Sequence, residues 1–401
     1  MRLRPGSWPS IFAIYLFGIL SSAGFGKMVP ILPDIKLAFG VSSATAGLVM
    51  SVLAVMGAVG ALPAGTIINR LGDKPVLAGC ALLSIVANLA AWIAPNIGWL
   101  IASRALDGVT CIAFAVAGLM LLMRTTEGRR RTTALTLWAT SIPIGFQFGV
   151  INASSVAGGE HWRWVFLGTA VLQAVAFLLA LSFPPHIADE KPESFRQSFS
   201  VIFAPKPLRL GLAFGVLAVL QSGTATIIPL YFKTAFGLPI AMTAMFSSLS
   251  TFPDSCGSFI TGYLLNRGWR SLLVGAIGTV ALIAGGAIYM FPQSGWKLAI
   301  IGMLIFQFST GCFTALMMAM LPHVRGTHSA SSTSGIFNQL SFVGLVIATP
   351  LILTTQDAFG WYGVLAYIAV TAILILLLVP ISGSLPGTSK AAAENRETVV
   401  I

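Results

Sequence analysis

A hexapeptide pattern, G-x-x-x-N-R, occurs twice in this chain, once in each half. Gly65-Thr66-Ile67-Ile68-Asn69-Arg70 returns as Gly262-Tyr263-Leu264-Leu265-Asn266-Arg267, at an offset of 197 residues in a chain of 401. Both copies end a long apolar run and precede a short basic turn. A second pair, Pro30-Ile31-Leu32 and Pro229-Leu230-Tyr231, keeps nearly the same offset. A chain that repeats at half its length in apolar material predicts two copies of one helical bundle.

The composition is that of a membrane protein. Hydrophobic residues make up 56% of the chain and charged residues 9%, whereas a soluble domain carries about 25% charged residues. A helix needs about 20 mainly apolar residues to cross the bilayer core. We therefore predict an all-α integral membrane protein with twelve transmembrane helices in two pseudo-symmetric six-helix bundles. The predicted spans are 11–32, 44–68, 76–94, 98–123, 133–155, 164–184, 209–232, 241–265, 271–291, 297–321, 330–354 and 361–382.

The longest polar stretch divides the spans into six and six. It covers 185–208, and its mixed charges and prolines are typical of a linker. We expect an N-terminal bundle over 1–184, a cytoplasmic linker over 185–208, a C-terminal bundle over 209–384 and a cytoplasmic tail over 385–401. The four cysteines fall inside different spans without metal-ligand or disulfide spacing, which favours a packing role.

The basic residues predict the orientation. If both termini are cytoplasmic, 17 of the 23 lysines and arginines lie on the cytoplasmic side, as the positive-inside rule requires. We therefore expect a multi-pass protein of the cell inner membrane with both termini in the cytoplasm. The net charge of +11 is scattered over short loops. This pattern suits contact with anionic lipid and does not favour nucleic-acid binding.

Three short motifs lie at or between the predicted spans. Residues 65–74 read G-x-x-x-N-R-x-G-D-K, residues 104–108 read R-x-x-D-G, and residues 162–166 read W-R-x-x-F. They resemble the motifs of the major facilitator superfamily, and the likeness covers all twelve spans. The family's G-x-x-x-D-R-x-G-R-[KR] loop has an acid where Asn69 stands and an arginine where Asp73 stands, and its R-x-x-Q-G pattern has a glutamine where Asp107 stands. The efflux branch's G-x-x-x-G-P motif is only approximated, around Pro143 and Gly149.

The resemblance implies a role for the loop motif. In the family the acid and the arginine of this loop form a charge-relay latch that stabilises either the inward-facing or the outward-facing conformation of a transporter. The corresponding residues here, which we call the latch, are Gly65, Asn69, Arg70, Gly72, Asp73 and Lys74. Asn69 supplies no charge, so Asp73 is the acid expected to pair, with Arg70 or Lys74. The alternative is an ordinary solvated loop, in which ion pairs contribute about 0–1 kcal/mol.

Asp254 is the most informative charge within a predicted span. It lies near the middle of span eight, on a polar face with Ser250, Ser258 and Thr261 at helical spacing. An ionisable residue in a span costs roughly 2.5–3.5 kcal/mol on insertion scales, so it faces a cavity or a partner. We interpret Asp254 as a proton-coupling acid. The alternatives are a substrate-binding acid and an acid that packs against a neighbouring helix.

Lys27, Arg104 and Asp107 are predicted at similar depth in the outer halves of spans one and four. The resemblance implies that spans one, four, seven and ten line a central cavity, where these residues would meet. Lys27 and Arg104 are candidates for binding a substrate anion, and Asp107 is the second candidate for proton coupling. The alternative is a structural cluster of salt bridges.

Polar side chains in other spans complete the candidate substrate site. They are as compatible with interhelical hydrogen bonds as with ligand contacts. The set comprises Gln147, Gln221, Thr224, Gln307, Thr310 and Asn338.

The sequence has no G-x-x-x-x-G-K-[ST] nucleotide loop and no metal-ligand cluster, so we expect neither an enzyme nor a cofactor. The first functional hypothesis is secondary active, proton-coupled export of a small organic molecule or metabolite by alternating access, in antiport. The second is import of a small organic anion or carboxylate. The third is a non-transporting receptor or scaffold on the same fold. The expected partners are a small-molecule substrate, protons and the lipid bilayer, and the expected oligomeric state is a monomer.

Overall fold

The computed structural model describes residues 3–184, 199–291, 293, 295–324 and 330–379, and these ranges contain helices and no strand. Side-chain caps begin several helices: Ser42 accepts from the Thr45 amide and Asn96 from the Trp99 amide. The α-helices are α1 Trp8–Gly26, α2 Met28–Phe39, α3 Ser43–Leu71, α4 Asp73–Trp92, α5 Ile97–Thr125, α6 Gly128–Ser154, α7 Trp164–Ser182, α8 Pro205–Phe236, α9 Ile240–Leu249, α10 Thr251–Asn266, α11 Ser271–Tyr289, α12 Trp296–Val324 and α13 Ala330–Leu378.

These helices account for the twelve predicted spans. Ten helical stretches in the described chain are long and apolar enough to cross a membrane. Predicted span eight consists of α9 and α10, which are each too short alone and meet at Ser250. Predicted span eleven and residues 361–378 of predicted span twelve lie in α13, which Gly360 interrupts with φ 63° and ψ −158°, a conformation essentially confined to glycine. The predicted fold class, all-α and membrane-spanning, is confirmed.

One compact unit consists of Met1–Thr126, Ser141–Val201 and Thr327–Phe342. Within it, α4 packs against α5 and α7, and α3 packs against α5. Gly145 and Gly149 of α6 lie against the carbonyls of Ile19 and Ala23, so this part of α6 approaches α1 at backbone distance. Near the junction of α1 and α2, an apolar core of buried residues includes Ile31, Leu100 and Phe166. This unit encloses the Lys27 region.

The second compact unit consists of Glu127–Thr140, Ile202–Gly326 and Val343–Ile401. Here α12 packs against α8, α10 and α11. Two glycines bring α10 and α12 together: Gly257 lies against the Phe308 carbonyl and Gly311 against the Asp254 carbonyl. These contacts place Asp254 at a backbone-to-backbone approach of two helices.

The repeated hexapeptide has the same packing role in both units. In the first, a side chain at Gly65 would collide with the Ser331 carbonyl. In the second, a side chain at Gly262 would collide with Thr136. The repeated glycine is therefore a site of close helix approach in each copy, which is a physical reason for the residue to recur.

The two units include segments from both halves of the sequence. The start of α6 belongs to the second unit and the start of α13 to the first. Residues 185–198 of the predicted linker and the predicted tail, 385–401, lie outside the described residues. The bundle boundaries at 1–184 and 209–384 stay a prediction.

Candidate functional site

The first unit contains a closed cluster of three charges. Lys27 lies at the junction of α1 and α2, and Arg104 and Asp107 lie one turn apart on α5. The Lys27 Nζ atom is 3.0 Å from Asp107 Oδ2, and Arg104 Nη1 donates to the same oxygen. The three side chains are only 0%, 2% and 4% exposed. The structure thus brings together the three residues that the sequence predicted to meet.

Helix α4 supplies polar partners that the sequence analysis missed. Asn88 Oδ1 accepts a hydrogen bond from Lys27 Nζ. Ser84 Oγ donates to Asp107 Oδ1 at 2.7 Å, and Asn88 Nδ2 donates to the Ser84 carbonyl at 2.8 Å. The signal was present, because Ser84 and Asn88 are four residues apart on one face of an otherwise apolar span. Both side chains are buried.

The remaining contacts of the cations also point inward. Arg104 Nε donates to the Val49 carbonyl at 3.5 Å and Nη2 to the Gly24 carbonyl at 3.4 Å. Lys27 Nζ lies 5.5 Å from the centre of the Phe166 ring, a distance suited to a cation–π contact. In this conformation both cations bind Asp107, and Arg104 also donates to backbone carbonyls. They therefore do not form an open positive surface.

The second unit holds Asp254 among neutral partners. Gln221 Nε2 on α8 donates to Asp254 Oδ1 at 3.1 Å, and Thr310 Oγ1 on α12 donates to the same oxygen at 3.0 Å. Gln221 Nε2 is also 3.3 Å from Thr314 Oγ1. The ion pairs found among the described residues do not include Asp254, which is 8% exposed. A buried carboxyl group held only by neutral donors is a stable arrangement when the group carries a proton.

Gln307 adds a buried acceptor on the helix that carries Thr310. It lies one turn before Thr310 on α12 and is 7% exposed. In the described part of the chain its Oε1 atom is buried without a hydrogen-bond partner. A buried amide oxygen without a partner is uncommon and calls for an explanation such as a ligand or water contact.

The other predicted substrate residues are distributed over both units. Gln147 and Asn338 belong to the first unit, where Asn338 Nδ2 donates to the Ser334 carbonyl at 2.9 Å. Thr224 belongs to the second unit, and its hydroxyl donates to the Leu220 carbonyl of its own helix at 2.7 Å. The hydrogen bonds of Asn338 and Thr224 are thus bonds within a helix.

At the junction of α3 and α4, two of the latch residues, Asn69 and Asp73, bind Arg124. Arg124 Nη1 lies 3.0 and 2.8 Å from the two Asp73 carboxylate oxygens, and Arg124 Nη2 donates to Asn69 Oδ1 at 2.7 Å. We expected Asp73 to pair with Arg70 or Lys74, but its bidentate partner is Arg124. Arg124 arrives from the end of α5, and the spacing of the loop gives no indication of it.

The rest of the latch follows from the backbone path. Gly72 has φ 94°, which turns the chain sharply from α3 into α4. Lys74 Nζ then donates to the carbonyls of Leu181 and Phe183, at the end of α7. Arg70 is exposed. Arg124 is thus the cation that joins Asp73 and Asn69, and the role of these residues as a latch stays a prediction.

Comparison with known proteins identifies the family. The family model described as Major Facilitator Superfamily matches residues 14–349, which is most of the chain. The protein belongs to the major facilitator superfamily. It is therefore a multi-pass membrane transporter of a small molecule, and neither an enzyme nor the receptor or scaffold of the third hypothesis.

Relatives in the superfamily cover nearly the whole chain. The inner membrane transport protein YajR of Escherichia coli is 23% identical over 359 residues, which cover 87% of this chain and 78% of YajR. The class G tetracycline resistance protein of Vibrio anguillarum is 27% identical over 401 residues, which cover 93% of this chain and 96% of that protein. The crystal structure of the human organic anion transporter MFSD10 superposes on this protein with a TM-score of 0.75 at 14% identity. The match covers 92% of this chain and 98% of the MFSD10 chain.

Proposed function

We propose that this superfamily member is a proton-coupled exporter of a small organic molecule or metabolite, working in antiport by alternating access across the inner membrane. The similarity to a tetracycline resistance protein over 93% of the chain favours export. The similarity to YajR favours an inner-membrane location. The scattered basic residues favour cytoplasmic termini, and a monomer suffices for the proposed cycle.

The observation that carries this proposal is the isolation of Asp254. Its hydrogen bonds come from Gln221 and Thr310, both neutral. Burying an unpaired carboxylate costs far more than burying the neutral acid, so closing the surroundings of Asp254 favours proton uptake. Opening them to water favours proton release. A group of this kind couples proton movement to the alternation of the transporter.

Asp107 is the poorer proton carrier of the two acids. Lys27, Arg104 and Ser84 all donate to its carboxylate oxygens. Protonation would remove the anion that compensates two buried cations, which is strongly unfavourable. We therefore assign coupling first to Asp254.

We assign substrate contact first to the polar group around Asp254. Gln221 and Thr310 share its oxygen, and Gln307 offers a buried acceptor without a partner in the described chain. Substrate contacts by Thr224, Gln147, Asn338, Lys27 and Arg104 remain part of the proposal. The latch, with Arg124 as its cation, is proposed to stabilise one of the two conformations of the alternating-access cycle.

A second candidate function is import of a small organic anion or carboxylate. The observation in its favour is the excess of one positive charge in the cluster of Lys27, Arg104 and Asp107. If the cluster opens during the cycle, that excess would attract an anionic group. Export and anion import differ in direction, so cellular accumulation separates them.

The test uses an efflux-deficient bacterial host that expresses the wild type or Asp254→Asn. Challenged with a panel of antimicrobial compounds and metabolites, wild-type cells should tolerate several-fold more of at least one compound and accumulate less of it. Asp254→Asn should lose this protection at equal expression, whereas Asp357→Asn, a change at an exposed acid of α13, should keep it. Wild-type cells that gain no tolerance but accumulate organic anions would contradict export and favour import.

A further inference from the structure

The charge count of the buried cluster in the first unit does not balance. Lys27 and Arg104 are cationic side chains and Asp107 is the acid between them, so the cluster carries one excess positive charge when Lys27 is protonated. All three side chains are closed to solvent. An uncompensated buried charge is costly, and a protein relieves that cost by neutralising one of the groups.

No second acid faces Lys27 in the described part of the first unit. The groups of α5 that interact electrostatically with Lys27 are Asp107, Arg104 and the Cys111 thiol. From α4 Lys27 meets Asn88, which is backed by Ser84, and from α7 it meets Phe166. Residues 141–154 of α6 and 164–182 of α7 contain no titratable side chain, and α3 contributes the Val49 carbonyl to Arg104.

The hydrogen-bond geometry of Lys27 suits a neutral amine. An ammonium group has three N–H donors, whereas an amine has two. Among the described residues, Lys27 Nζ has two acceptors, Asn88 Oδ1 and Asp107 Oδ2, and its third neighbour is the Phe166 ring. Loss of one proton would therefore leave both hydrogen bonds intact. The same site also tolerates the ammonium form, which gains the cation–π contact with Phe166.

The other two members of the cluster cannot take this role. A guanidinium group is not deprotonated in proteins, so Arg104 remains charged. Asp107 accepts hydrogen bonds from Lys27, Arg104 and Ser84, and protonating it would raise the excess charge to two. Lys27 is the remaining group that can bring the cluster to neutrality.

A cavity of about 10 Å³ borders this network within the first unit, enough for roughly one water molecule. Ser84, Thr110, Gln173 and Ser21 are among its lining residues. Ser84 joins the cavity to the cluster, because its hydroxyl donates to Asp107 Oδ1 and it is bonded to Asn88. A water molecule in this cavity would lie beside Ser84 and could exchange a proton with the cluster through that hydroxyl.

We propose that Lys27 is a proton-binding site of the transporter, which alternates between a neutral amine while the cluster is closed and an ammonium ion when the cluster opens to water. The exchange is a simple proton transfer: the ammonium gives one proton to water and keeps its N–C bond. The chain then has two proton sites, Asp254 in one unit and Lys27 in the other. Their use in transport rests on the proposed function, whereas the titration of Lys27 does not.

The test is ¹⁵N NMR of the full-length protein in lipid nanodiscs with ¹⁵Nζ-labelled lysine. The signal of Lys27 is the one that disappears in Lys27→Met. It should have the shift of an amine at pH 8 and convert to that of an ammonium ion as the pH falls. Asp107→Asn should keep Lys27 an amine over the whole range. An ammonium signal at every pH, with the fold intact by size-exclusion chromatography, overturns the proposal.

A second measurement separates this proposal from the proposed function. Lys27→Arg keeps a permanent positive charge, so in proteoliposomes it should lower the number of protons moved per substrate by about one. An unchanged proton number overturns the coupling role of Lys27. If Lys27 titrates but wild-type protein moves no proton with any substrate, the failure belongs to the proposed function.

Discussion

At the residue scale, buried charges in this protein are stabilised by side chains from other helices. Asp73 is fully buried and its bidentate partner, Arg124, comes from the far end of α5. Lys27 and Arg104 are closed on Asp107 and on Asn88 of α4. Each network joins side chains that come from different helices.

The Asp73–Arg124 pair gives a prediction for stability. Arg124→Ala removes the bidentate partner of a carboxylate with no solvent access, a change that typically costs about 3–5 kcal/mol. The melting temperature in detergent should fall clearly. Arg70→Ala removes an exposed arginine from the same motif and should change it little. Equal melting temperatures for the two variants would mean that the buried pair does not stabilise the fold.

The sequence allowed the charged residues of the cluster to be predicted, because ionisable groups are rare in apolar spans. Lys27, Arg104 and Asp107 stood out for that reason, and the structure brings them together. Asn88, Ser84 and Arg124 did not stand out. Neutral polar residues occur throughout membrane helices, and Arg124 at a span end reads equally well as an ordinary topology signal.

At the element scale, glycines decide where helices touch. Gly311 of α12 lies against the carbonyl of Asp254, and Ser258 of α10 donates to the Gly311 carbonyl at 2.9 Å. Gly257 makes the matching approach to Phe308. The position of the candidate proton-coupling acid is therefore determined by a close packing of α10 on α12.

Replacing Gly311 tests this packing. In Gly311→Ala the new methyl group collides with the Asp254 backbone, so α10 and α12 must separate at the level of the acid. We expect a lower melting temperature and reduced transport. Gly79→Ala is the matched control, because that helical glycine has open space around it and alanine favours helix. A fully active and equally stable Gly311→Ala protein would contradict the described contact.

The spans were predictable and their ends were not. Hydropathy located the cores, but α8 runs from Pro205 to Phe236 whereas the prediction covered 209–232. Helices extend beyond the bilayer core because their ends continue into polar surroundings. The joint at Ser250 and the interruption at Gly360 are also invisible to hydropathy, since neither changes the apolar character of its segment.

At the scale of the whole molecule, the repeat indicates two related bundles, and each unit has its own ionisable site. The first unit holds a cluster of one lysine, one arginine and one aspartate, and the second holds a carboxyl group with neutral partners. The fold class followed from repeat and composition. The substrate did not, because one fold serves many ligands and the polar residues that contact them resemble those that join helices.

The central claim is that Asp254 couples proton movement to transport, and the most direct measurement is simultaneous proton and substrate flux in proteoliposomes. With a substrate identified by the cell screen, the wild type should accumulate it against its gradient when a pH gradient is imposed. Asp254→Asn mimics the protonated acid, so it should bind substrate and support exchange but accumulate far less substrate in response to the pH gradient. Undiminished accumulation and proton flux in Asp254→Asn would contradict the assignment and shift the coupling role to the Lys27 and Asp107 cluster.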